Sequence, residues 1–124
     1  MLHIVLATAR PKGMQAFAEA LASNPEVNLQ CVISGAEAFE AARTAAPHIV
    51  IIDADLPDIA PLDLVQKLLT VNAMVNTAVV SPLSDEEFHE ASEGLGILGR
   101  LPNDPGMNDA VEMLHKLRTV LGVG

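Results

Sequence analysis

The chain has 124 residues, half of them hydrophobic and only three aromatic, all Phe. That length suits one domain over 1–124, large enough to bury about two-thirds of its unfolded surface without disulfides or metal. Sixteen acids against seven bases leave a net charge of −9, which argues against a nucleic-acid surface, because such surfaces need clustered Lys and Arg to replace counterions.

With so few aromatics the core must be Ala, Val, Leu, Ile and Met. No apolar run approaches the ~20 residues that cross a bilayer, so no membrane segment is expected, and the opening Met1–Leu6 carries no basic leader. The single Cys31, inside the apolar stretch Leu29–Ile33, is expected in the core. A lone thiol offers no internal disulfide, consistent with a cytoplasmic location.

Residues 2–7 read as a short apolar strand. A helix is expected over 11–23, opened by Pro11, which suits a first helical turn, with Met14, Phe17, Ala18 and Leu21 on one face. Residues 27–33 form a second strand. Gly35–Ala46 form a second helix with Ala38, Phe39 and Ala42 inward, and Pro47 stops it. Residues 48–53 are a third strand, and a helix from Pro61 carries Leu62, Val65, Leu68 and Leu69. Residues 77–81 form a fourth strand. Ser84-Asp85-Glu86-Glu87 is a capping box for a fourth helix. Residues 97–101 form a short fifth strand, and Met107, Val111, Leu114, Leu117 and Leu121 line a last helix ended by Gly122.

Strands joined through helices are parallel, and right-handed crossovers place helices on both faces. The expected fold is therefore α/β, a doubly wound, five-stranded parallel sheet; of the two common doubly wound orders, five units of this size favour the flavodoxin-like 2-1-3-4-5. Open sheets of this kind bind ligands at the carboxyl ends of their strands. Asp53 stands there, directly after the β-branched run Ile49-Val50-Ile51-Ile52 and before Ala54-Asp55-Leu56-Pro57.

This segment, and the alternation of the whole chain, resembles the receiver domains of two-component response regulators. In those domains an Asp-x-x-Met-Pro sequence or a close variant follows the third strand. The resemblance implies Asp53 as phosphoacceptor, Asp55 as a position whose carbonyl ligates Mg²⁺, Leu56-Pro57 for Met-Pro, and Ser81 as the switch hydroxyl. It also exposes departures. The acidic pair that holds Mg²⁺ falls on Ala7 and Thr8, the phosphate-gripping Lys on Leu101, the aromatic switch on Leu98, and a Gly on Pro61. Arg100 is one residue from the Lys place, and one residue on a strand turns the side chain to the other face.

Phosphoryl transfer rests largely on charge neutralisation and positioning. Mg²⁺ at Asp53 and Asp55 is therefore expected to bind weakly. The leading expectation is a stand-alone atypical receiver, not an enzyme. It would signal by protein–protein interaction, with phosphorylation at Asp53 weak or absent. The alternative is a phosphotransfer-competent receiver modified on Asp53 by a histidine kinase; a second is a small ligand-binding or enzymatic domain on the same fold. Partners, whether a kinase, a downstream protein or a second copy in a homodimer, are expected at helix four, strand five and helix five. There five acids of helix four lie beside Leu95, Ile97 and Leu98, read as an apolar seam.

Other residues are expected to be structural. Asp55 and Asp58 read as solvated turn residues, His3 and His48 as strand-end residues, and His89 and His115 as surface or half-buried helix positions. Gly94-x-Gly96-x-x-Gly99 has the form of a dinucleotide fingerprint but precedes a strand, which its chemistry does not allow.

Overall fold

The structure is a computed structural model and describes residues 1–122. Its strands are β1 (Leu2–Ala7), β2 (Val27–Val32), β3 (Ile49–Ile52), β4 (Asn76–Val80) and β5 (Gly99–Leu101), paired in parallel in the order β2-β1-β3-β4-β5. The helices are α1 (Gln15–Ala22), α2 (Gly35–Ala45), α3 (Pro61–Val71), α4 (Asp85–Ala91) and α5 (Met107–Leu121). No described helix is long and apolar enough to cross a membrane.

Alternation along the strands divides the core in two. Ile4, Leu6, Ile49, Ile51, Ala78 and Val80 face α1 and α5. Val5, Ala7, Val50, Ile52 and Val79 face α2, α3 and α4. Because both faces are covered, every residue of β3 is buried, and this is why its sequence is an unbroken apolar run rather than an alternating one.

Several boundaries and faces differ from expectation. Helix α1 begins at Gln15, not Pro11, and Met14 before it is non-helical at φ −106°, ψ 6°. Cys31 is exposed, not in the core: β2 is an edge strand, and near its end Cys31 departs from the half-buried positions Val27 and Leu29 that share its parity. Phe39 is only half-buried, with the Lys67 ammonium 5.4 Å from its ring centre. On α5 the buried face is Ala110, Met113, Leu114 and Leu117, whereas Met107 and Val111 are 67% and 60% exposed. The helix is rotated so that Met113 takes the inward place expected of Val111.

Leu95, Ile97 and Leu98 do not form an exposed seam. Leu95 and Ile97 pack on one core layer and Leu98 on the other. The Ser84 capping box forms as expected: the Ser84 Oγ accepts from the Glu87 amide at 3.2 Å, and the Glu87 carboxylate accepts from the Ser84 amide at 3.4 Å. Gly122 caps α5 in the left-handed region at φ 75°, where glycine pays no Cβ penalty.

Asp58 is an exposed turn residue, as expected, and it also serves as a cap. Its carboxylate accepts from the amides of Gly35 at 2.8 Å and Ala36 at 2.9 Å, capping α2 from the loop after β3. These amide donors hold its carboxyl below the usual carboxylate range. Gly35 permits this approach, because a Cβ there would land on the Ile59 side chain.

His3 and His48 also do more than end their strands. Their rings stack with centroids 5.8 Å apart, and the His48 Nδ1 accepts from the His3 amide at 2.9 Å.

Candidate functional site

The parallel register of β1 and β3 pairs Ala7 with Ile52, so the next residues, Thr8 and Asp53, leave the sheet side by side at its carboxyl edge. The Asp53 amide donates to the Ala7 carbonyl at 2.9 Å, and the Thr8 amide to the Val32 carbonyl at 2.9 Å. The backbone thus fixes where the Asp53 carboxylate lies. Ala7 itself is fully buried, and Leu101 is 3% exposed in the apolar core. Neither faces the site with a polar group.

Asp53 is 1% exposed, and a buried carboxylate stays ionised only if donors replace its water. Four do. The Thr8 hydroxyl and the Arg10 Nε donate to Oδ2 at 2.6 and 2.8 Å, while the Arg10 Nη2 and the Ala54 amide donate to Oδ1 at 3.0 and 2.8 Å. A carboxylate has about four lone-pair sites, and all are taken. The Arg10 contact is the bidentate fork that a guanidinium makes with a carboxylate.

Burial by itself would raise the pKa of Asp53. The hydrogen bonds from Arg10, Thr8 and the Ala54 amide outweigh it and hold the carboxyl below its ordinary value of 3.8. The hydrogen bond to Asp53 in turn raises the pKa of Arg10.

Arg10 is the functional residue that sequence reasoning missed. It reaches Asp53 because the Thr8 hydroxyl, while donating to Asp53, accepts from the Arg10 amide at 3.0 Å and turns the chain back over the sheet edge. That turn also explains the late start of α1. The guanidinium spans further: Nη2 donates to the Asn103 carbonyl, Nη1 lies 3.5 Å from Asp104, and Nη2 lies 3.8 Å from the Met14 Sδ. One side chain therefore ties the loop after β1 to the end of β3 and to the loop after β5. A sequence signal existed, since Arg10 lies just past the end of a strand whose carboxyl end borders the site, but nothing local pointed it inward.

The remaining residues read from sequence sit apart from this pair. Asp55 is exposed. Ser81 is 7% exposed and its Oγ accepts from the Leu83 amide at 3.2 Å, so the hydroxyl serves the turn that follows β4. Arg100 turns away, as strand alternation requires: it pairs with Asp85 at 2.8 Å and donates to the Ser81 carbonyl at 3.1 Å. Among the described residues no three His, Cys, Asp or Glu side chains gather to hold a metal. The donor set around Asp53 suits a cationic fork, and it leaves no oxygen lone pair for a divalent ion.

The strand order, the helices on both faces and a buried Asp at the carboxyl edge define a doubly wound domain of the flavodoxin-like class. Within that class the chain has the receiver-domain fold. It superposes on the response regulator domain of Thermotoga maritima CheB with a TM-score of 0.81 and 17% identity, covering 100% of this chain and 98% of that one. For the signal receiver domain of the putative response regulator NarL from Mycobacterium tuberculosis the TM-score is 0.81 with 16% identity, over 95% and 96% of the two chains. For the chemotaxis response regulator CheY4 of Vibrio cholerae it is 0.82 with 14% identity, over 94% and 98%. At the level of sequence, no family model and no curated protein matches the chain.

Proposed function

We propose that this domain is an atypical receiver that acts in signal transduction through protein–protein contacts, in the cytoplasm, with phosphorylation at Asp53 weak or absent. One observation carries the reading: both carboxylate oxygens of Asp53 already accept two hydrogen bonds each, two of the four from Arg10. A phosphoacceptor attacks phosphorus with an oxygen lone pair, and here each is engaged by a donor that must first leave. Mg²⁺ at Asp53 and Asp55 would be weak for the same reason, since Arg10 fills the place beside Asp53 with a tethered positive charge.

The test is metal-dependent labelling with acetyl phosphate. The wild-type chain is expected to incorporate no more phosphate than Asp53→Asn. Labelling that requires both Mg²⁺ and Asp53 would overturn the reading in favour of the phosphotransfer-competent alternative.

The partner face we favour is α4, β5 and α5. Its character is acidic rather than apolar. Glu86, Glu90 and Glu93 are exposed, while Asp85 is held by Arg100 and Glu87 by the cap. Such a face suits a basic partner, whose association would slow as salt screens the charges. Glu86→Lys with Glu90→Lys is expected to reduce capture of partners at low salt. Unchanged capture and unchanged salt dependence would move the docking face elsewhere.

A further inference from the structure

Beside the Arg10–Asp53 pair, between the loops that follow β3 and β4, lies a cleft of about 390 Å³. That is within the range of small-ligand sites and equals the volume of about a dozen waters at ~30 Å³ each. Small residues make the room: Ala54 and Ala60 line it where larger side chains would fill it. Leu62 and the buried Phe88 supply apolar wall.

Its polar groups keep hydrogen-bonding capacity to spare. Ser81 is 7% exposed; its Oγ accepts from the Leu83 amide, and among the described residues its hydroxyl proton has no acceptor. Asp55 lines the cleft and, among the described residues, has no ion-pair partner. Asn103 lines it too. No Lys, Arg or His does. The two nearby guanidiniums are spent, Arg10 on Asp53 and Arg100 on Asp85. The cleft is thus anionic at one point, apolar over most of its wall, and without a cation to hold an anion.

We propose that this cleft binds a small primary amine with an aromatic or aliphatic body, its ammonium near Asp55 and its apolar part against Leu62 and Phe88. Charge selects the head group. A carboxylate or phosphate would meet Asp55 with no compensating cation, whereas an ammonium relieves a lone carboxylate and can also donate to the Ser81 Oγ. Size selects the body, about a ring with a two-carbon chain. This site is independent of whether Asp53 accepts a phosphoryl group.

Three probes of one shape and different heads test it: phenethylamine, phenylethanol and phenylacetate, each titrated against the labelled full chain while amide shifts are followed by NMR. Phenethylamine is expected to saturate in the millimolar range, as suits so small a ligand, with shifts at Ala54, Asp55, Ser81 and Leu83. It should bind about threefold to fivefold tighter than phenylethanol, the scale of an exposed ion pair, and phenylacetate should not bind. Asp55→Asn, at an exposed position, should erase the amine's advantage. Ala60→Trp should abolish binding of both by filling the space. The proposal is overturned by no saturable shifts up to about 20 mM, by shifts elsewhere on the surface, by equal binding of phenylacetate, or by an amine preference that survives Asp55→Asn.

Discussion

Arg10→Ala is expected to lower the stability of the domain at neutral pH by about 2–3 kcal/mol. Removing one partner of a buried ion pair costs about 3–5 kcal/mol, because the other charge stays buried without compensation. The lower figure applies because Arg10 is 30% exposed, so water can enter where the guanidinium stood. For a domain of this size the melting temperature should fall by about 8–12 °C. Asp53→Asn should cost less, since it leaves a partly exposed guanidinium that water can solvate rather than a buried anion.

The two variants should also part company in acid. In the wild type the folded-state value of Asp53 lies below its ordinary 3.8, so its contribution is fully present above 3.8 and is lost as pH falls through the lower folded value. In Arg10→Ala burial dominates and the sign reverses. The carboxylate penalises folding at neutral pH, and that penalty fades as the group protonates. The stability gap between wild type and Arg10→Ala, measured by denaturant unfolding between pH 7 and pH 3, should therefore narrow with acidification. A gap that stays constant, or a loss well under about 1 kcal/mol at pH 7, would show that Arg10 is a surface ornament and not the counterion of Asp53.

Mg²⁺ should be nearly silent. Titration to about 10 mM, above the range in which hard oxygen sites with carboxylate ligands fill, is expected to leave the amides of Thr8, Asp53 and Ala54 unmoved. The phosphoryl mimic beryllofluoride should leave α4 and β5 unmoved as well. A ligand shifts a conformational equilibrium only through differential contacts with its two states. Here Leu101 is buried in the apolar core, Leu98 is half-buried against it, and Ser81 Oγ accepts from the turn that follows β4. Saturable, Asp53-centred shifts with Mg²⁺ would mean that Arg10 gives way to a metal, and the reading of Asp53 as locked would fall.

The faces of helices were legible only to within a rotation. A strand exposes its side chains on a strict alternation, so β3 could be read as covered on both sides from four residues. A helix with apolar residues spread around it leaves several inward faces open. On α5 both the stripe through Met107 and Val111 and the stripe through Ala110, Met113 and Leu117 are apolar, and packing against α1 and the sheet chose the second. Cys31 shows the same limit for strands. Its apolar neighbours suggested a core position, but edge strands are covered incompletely, and strand order rather than composition sets that.

By itself the sequence determined the alternation of strands and helices, and with it the parallel 2-1-3-4-5 sheet and the placing of Asp53 at its carboxyl edge. The alternation and the parallel sheet follow from local period, from caps such as Ser84, and from the handedness of crossovers; the strand order came from the number of units and from likeness to known doubly wound domains. It also determined what the edge lacks, because Ala7, Leu98 and Leu101 cannot carry charge wherever they point. Only the tertiary structure decided what stands in the missing charges' place. Arg10 meets Asp53 across 43 positions of sequence, and Asp58 caps α2 from 23 positions away. Such pairings are set by which loops the sheet brings together. A long side chain has many rotamers, and the buried carboxylate, which must find donors, selects the one that reaches it.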